Sequence, residues 1–166
     1  MEFILRPWTA LDLGNLVRYA DNAKIAANMT NKFIHPYTIE QGKNFIDFAS
    51  QTTPCRIFAI AVGEEAIGAA GIHPQADIFC KNAELAYWIG EPFWGKGIAT
   101  KVVTEMVEYG FKTWDLDRIF ARPFGTNIAS QRVLEKAGFT LEGKFENTIF
   151  KNGNYTDELV YAIRKK

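Results

Sequence analysis

Between Gly90 and Thr100 the chain reads GEPFWGKGIAT, and its glycines and lysine are spaced as if to hold phosphate. Gly90, Gly95 and Lys96 satisfy the nucleotide-binding pattern G-x-x-x-x-G-K-[ST], in which backbone amides cradle phosphates, lysine adds charge and a hydroxyl holds magnesium. Gly97 stands where that hydroxyl belongs. It cannot bind the metal, and no apolar strand ends in an Asp suited to the task, so a nucleoside triphosphate is excluded on chemistry. The dinucleotide pattern G-x-G-x-x-G fails as well, because Thr100 takes the place of its third glycine. Two readings remain: a diphosphate held by amides without a metal, or a plain tight turn before a helix with Lys96 as a solvated charge.

The elements around the loop are compatible with both readings and supply what the first one needs. Ala83 to Gly90, AELAYWIG, is rich in strand-forming residues. After the loop, Ile98, Val102, Val103, Met106, Val107 and Phe111 predict an amphipathic helix over 98–112. A helix start exposes amides without partners inside the helix and carries the positive end of the macrodipole. Upstream, the pattern predicts a short strand at 3–8, a helix carrying Leu13, Leu16, Val17 and Ala20, and a second helix from Thr38. Arg56 to Val62 and Ala66 to His73 read as a hairpin turning at Gly63-Glu64-Glu65. Downstream come a strand at 118–121, a helix over 127–137 ended by Gly138, and strands 139–150 and 155–163 joined at Asn152-Gly153. The order implies one mixed α+β domain spanning 1–166.

Composition narrows the partners. The chain has 166 residues, nearly half of them hydrophobic, enough for a packed core. Nineteen basic and nineteen acidic residues balance, which argues against nucleic acid. Cys55 and Cys80 are isolated, and His35 and His73 offer too few ligands for a metal site. No secretion signal or membrane-spanning run is evident, so the expected location is the cytoplasm.

Three stretches in fixed order carry a resemblance. They are Glu84 to Gly90 with Pro92-Phe-Trp-Gly-Lys-Gly-Ile-Ala-Thr100; Asn127-Ile-Ala-Ser-Gln-Arg-Val-Leu-Glu-Lys-Ala-Gly-Phe139; and Asn152-Gly-Asn-Tyr-Thr-Asp157. With a weaker His35-Pro-Tyr-Thr38, they resemble the GNAT N-acetyltransferases, in particular the ribosomal-protein N-terminal acetyltransferase (RimJ/RimL-type) branch. The family loop [RQ]-x-x-G-x-[GA] places Trp94 at its first position, a departure common in this branch, followed by Gly97 and Ala99.

The resemblance implies the GNAT fold: about seven strands in a mixed sheet, about four helices, and a splay between strands 4 and 5. It implies acetyl-CoA as cosubstrate, with no metal. Amides of Gly95, Lys96, Gly97, Ile98, Ala99 and Thr100 would take the pyrophosphate, and backbone groups of Trp88 and Ile89 the pantetheine arm and thioester carbonyl. Asn127 would contact the cofactor, although Asn is equally a good helix N-cap. Ser130 would stand near the departing thiol, or be an ordinary first-turn serine. The tyrosine acid of other branches is replaced by Leu134.

The general base is the least defined part. Peptide-acting relatives can carry Glu five residues before the Asn, where this chain has Arg122, and the hairpin carboxylate of others aligns with Ile149. Glu84 and Glu146 remain, Glu84 being also readable as a carboxylate in water or in an ion pair. A lysine-type amine costs ~4.6 kcal/mol to deprotonate at pH 7, and an α-amine only about 1 kcal/mol. A weak base therefore suits a protein N-terminus, with catalysis resting mainly on positioning. Trp8, Phe33, Tyr37, Phe93 and Trp94 are candidates to shape an acceptor pocket, as well as core residues. Small-amine acetylation and a non-catalytic acetyl-CoA-binding module stay open beside this reading, as do monomer and homodimer.

Overall fold

The computed structural model describes residues 1–166. In chain order it contains β1 (Ile4–Pro7), α1 (Leu13–Ala20), α2 (Ala23–Ala26), α3 (Ile39–Ala49), β2 (Ile57–Val62), β3 (Glu65–Pro74), β4 (Asn82–Ile89), α4 (Ile98–Thr113), β5 (Arg118–Ala121), α5 (Ile128–Lys136), β6 (Thr140–Lys151) and β7 (Asn154–Arg164). The strands form one seven-stranded sheet in the order β1-β2-β3-β4-β5-β7-β6. This is the expected mixed architecture, with α1, α3, α4 and α5 as its four longer helices. The single turn of α2 and three short 3-10 turns carry too few residues to show an apolar period, and the sequence pattern does not announce them. No helix is long and apolar enough to cross a membrane.

Strands β2 and β3 pair antiparallel around a turn at Gly63, whose φ of +60° suits glycine. Gly90 N–H donates to the Ile67 carbonyl at 2.7 Å and Gln75 N–H to the Asn82 carbonyl at 2.9 Å, so β3 and β4 also run antiparallel. The parallel pair is β4 with β5. Its register is Asn82↔Arg118, Ala83↔Ile119 and Glu84↔Phe120, and there it stops. The β4–β5 register ends at Glu84 while β4 runs on to Ile89, which is the expected splay.

The chain forms two compact units, one of Met1–Gly71 with Tyr87–Val102, the other of Ile72–Ala86 with Val103–Lys166. In the first, Leu16, Ile60, Ile67, Ile98 and Val102 are fully buried, each stabilising by roughly 1.5–3 kcal/mol through removal from water. Helices α1 and α3 approach so closely at Gly42 that a Cβ there would lie 2.7 Å from the Leu13 side chain. Asp12 is buried and paired with Arg6 at 2.7 Å. Desolvation pushes its carboxyl pKa up, but hydrogen bonds from Arg6 and Thr9 outweigh that and hold it below the ordinary range.

In the second unit Ile72, Met106, Leu116, Ile119 and Leu134 form the core. Gly110 lets α4 lie against the sheet, since a Cβ there would meet Ile72 at 2.6 Å and Ile119 at 3.0 Å. The long β6–β7 hairpin turns at Asn152 and Gly153, both at positive φ, as the Asn-Gly pair predicts.

Candidate functional site

The loop between β4 and α4 starts as a 3-10 turn, Glu91–Phe93, with Pro92 fixing its backbone. Gly95 and Gly97 then adopt φ of +71° and +74°, with Lys96 between them outside that region. Alternating signs of φ turn successive N–H groups into one concavity, an arrangement that attracts anions. A Cβ at either glycine would meet nothing within 4 Å, so the concavity opens to space rather than to packed side chains. The first amides of α4, at Ile98, Ala99 and Thr100, follow directly, at the positive end of a 16-residue helix. Lys96 lies with its ammonium 5.4 Å from the Phe93 ring centroid. These residues fit a diphosphate, since the donors they offer are backbone N–H groups and one ammonium.

Glu91 ties this loop to the segment after α1. Its carboxylate accepts from Asn22 Nδ2 at 2.7 Å and pairs with Lys24, contacts that hold it below the usual carboxylate range, the Lys24 bond most strongly. Asn22 also caps α2 by accepting from the Lys24 amide at 2.9 Å. A cavity of about 330 Å³ is lined there by Arg18, Tyr19, Asn22, Glu91 and Pro92. The sequence gives no sign of this anchor, because its partners lie 67 and 69 residues apart.

At the end of β4, Trp88 and Ile89 are buried. Their backbone is pressed against β3: a Cβ on Gly68 would stand 2.3 Å from the Trp88 carbonyl oxygen, so only glycine fits. Trp94 folds back and its indole Nε1–H donates to the Ile89 carbonyl at 2.7 Å. The sequence places Trp94 beside the loop but does not reveal this bond.

The five aromatics separate. Trp8 is core, edge-on to Phe45 at 5.4 Å. Phe93 packs edge-on to Tyr19 at 5.5 Å. Phe33, however, stands 5.3 Å from Tyr37 and 5.9 Å from Trp88, ring centre to ring centre, and so joins the loop after α2 to the end of β4. Burial pushes the Tyr37 phenol up to about 12, which keeps it protonated at neutral pH. On the same loop His35 Nδ1 lies 3.2 Å from Asp21 Oδ1, and that oxygen also accepts the Tyr37 N–H at 2.9 Å. Nothing in the sequence pairs Asp21 with His35, which stands out there only as an isolated histidine and as the first residue of His35-Pro-Tyr-Thr38.

In the second unit Glu84 faces Arg122 in a two-pronged pair, Nε to Oε1 at 3.0 Å and a terminal nitrogen to Oε2 at 3.2 Å. Glu158 stands 3.9 Å from the same guanidinium. Donating these bonds to Glu84 raises the Arg122 pKa further. Of the settings open to Glu84 from sequence, the structure has the ion pair. Glu146 is exposed on β6 and Ile149 half-buried. Asn127 caps α5, its Oδ1 accepting from the Ser130 amide at 3.2 Å, and both residues are half-buried. The cap leaves the Asn127 amide nitrogen pointing elsewhere, so capping and ligand contact are compatible. No group of three or more His, Cys, Asp or Glu side chains is arranged to hold a metal ion.

The sequence and the fold resemble those of known proteins. Residues 2–140 match a family model described as an acetyltransferase (GNAT) domain. The chain is 39% identical over 102 residues to a Bacillus subtilis (strain 168) protein named uncharacterized N-acetyltransferase YoaA, covering 61% of this chain and 57% of that one. Two proteins of Escherichia coli (strain K12) are each 28% identical: a ribosomal-protein-serine acetyltransferase, over 64% of this chain and 59% of its own, and a spermidine N(1)-acetyltransferase, over 50% and 45%. The chain thus spans about half the length of these curated relatives. Among solved structures, a GNAT-family acetyltransferase from Bacillus anthracis superposes with a TM-score of 0.84 at 24% identity, covering 99% of this chain and 95% of that one.

Proposed function

The chain belongs to the GNAT acetyltransferase family, and from that premise we propose that it moves an acetyl group from acetyl-CoA directly to a primary amine, the α-amine of a protein or peptide N-terminus. The observation that carries this reading is the open Gly95–Gly97 concavity at the head of α4. On it, amides of Gly95 to Thr100 and the Lys96 ammonium hold the pyrophosphate. The backbone of Trp88 and Ile89 receives the pantetheine arm, and an N–H there polarises the thioester carbonyl. Asn127 contacts the cofactor, and Ser130 stands by the departing sulfur. Glu84 takes part as the fixed partner of Arg122 rather than as a free carboxylate. The 166 residues act as one cytoplasmic domain, monomeric or homodimeric, without metal, membrane or nucleic acid.

The α-amine is favoured because no free carboxylate base stands out, and this amine needs the least help to lose its proton. A small polyamine is the second reading, supported by the relative named for spermidine. Calorimetry with acetyl-CoA, followed by a thiol-release screen of N-terminal peptides and small amines, tests both. Micromolar binding with peptide turnover is the expected result. Turnover confined to small amines selects the second reading, binding without any turnover points to a non-catalytic sensor, and no binding ends the acetyl-transfer reading.

A further inference from the structure

We propose that His35, oriented by Asp21, is the group that accepts the proton of the incoming amine; this rests on the acetyl-transfer reading above. The two carboxylates that sequence offers for this work are poorly suited. Glu84 has both oxygens engaged by one guanidinium, and Glu146 sits exposed on β6.

Asp21 and His35 have what a base needs. The Asp21 carboxylate oxygen lies 3.2 Å from Nδ1 of His35 and accepts the Tyr37 N–H, so one oxygen faces the imidazole while it anchors the backbone two residues on. A carboxylate at Nδ1 favours the tautomer with its hydrogen there, which leaves a lone pair on Nε2. The imidazole is 38% exposed and Asp21 44%, so Nε2 can be reached. The loop is also in the right place. Phe33 and Tyr37 flank His35, and Phe33 packs on Trp88 at the strand end assigned to the thioester.

Magnitudes favour an imidazole over a carboxylate. Passing a proton from an α-ammonium (pKa ~7.8) to an ordinary imidazole (~6.5) is uphill by about 1.3 pH units, and to an ordinary carboxylate (~4.3) by about 3.5. In the step itself, the ammonium gives one proton to Nε2. The freed nitrogen pair attacks the thioester carbonyl carbon, a C–N bond forms, and the C–S bond breaks with its electrons going to sulfur. The nitrogen's second proton goes to that sulfur, and the imidazolium returns the first to water. The products are amide, thiol and one proton.

The decisive variant is His35→Asn, which keeps an N–H donor toward Asp21 but has no Nε2. We expect kcat to fall about 100-fold or more, with the acetyl-CoA Kd and the thermal midpoint unchanged. Asp21→Asn should lower kcat by about tenfold. Nitrogen-15 shifts of wild-type His35 should show the Nδ1–H tautomer, moving toward Nε2–H in Asp21→Asn. A merely structural tie would leave kcat of His35→Asn at the wild-type value, and that result overturns the assignment. So does a wild-type Nε2–H tautomer, or acetyl-CoA binding without turnover of any amine. Absence of acetyl-CoA binding would instead bring down the acetyl-transfer reading, and this one with it.

Discussion

The two ends of β4 are built on opposite plans. Its first residues, Asn82 to Glu84, are hydrogen-bonded to β5, and the carboxylate there is closed off by Arg122. Its last residues, Trp88 and Ile89, have no β5 partner, are held from the β3 side by contact with Gly68, and lead into a loop whose Gly95 and Gly97 face open space. The ionisable pairs differ in the same sense. Arg122 keeps its charge across the working pH range and occupies both oxygens of Glu84. Asp21 holds one side of an imidazole and leaves the other free. Bonds that are all satisfied make a scaffold, and chemistry needs a group with one bond still to make.

This contrast can be broken. The largest effect is expected on the β3 side of the open end. Gly68→Val drives side-chain carbons into the Trp88 carbonyl, a backbone atom that cannot swing away, and should cost about 3 kcal/mol of stability by urea denaturation. A loss below about 1 kcal/mol would mean that the strand end is not gripped there. Next comes the loop. Gly97→Ala puts a Cβ on a left-handed residue and should weaken acetyl-CoA binding about tenfold, ~1.4 kcal/mol by calorimetry. Unchanged affinity would return the glycines to the role of a simple turn. The smallest effect belongs to the closed end. Arg122→Gln removes a half-exposed ion pair and should cost less than about 1 kcal/mol, with turnover within about threefold of wild type. A hundredfold loss of turnover would instead make Glu84 and Arg122 part of the chemistry, and the two ends would no longer divide the labour.

The repeating elements were legible because their signals are local. Apolar spacing in α4, the continuous apolar runs of β2 and β3, and the Asn152-Gly153 turn each lie within a few residues of the structure they specify. The loop was legible for the same reason, since glycine, lysine and helix start are contiguous. What stayed hidden are meetings of residues far apart in the chain: Asn22 and Lys24 with Glu91, Arg122 with Glu84, Gly68 with Trp88. No periodicity encodes which of several charges will meet. Asp21 and His35 are only 14 positions apart, but the single turn of α2 and the irregular stretch after it have no pattern from which their approach could be inferred.

Trp94 bears on the last residue of β4. Its indole already satisfies the Ile89 carbonyl, so the strand edge does not carry an orphaned acceptor there. An incoming amide that bonds this oxygen either shares it, using the second lone pair, or displaces the indole and exchanges one hydrogen bond for another of similar strength. That swap is close to neutral in enthalpy. Grip on a long ligand would then come from its anionic end, and the strand edge would act as a ruler, setting where the far end stops.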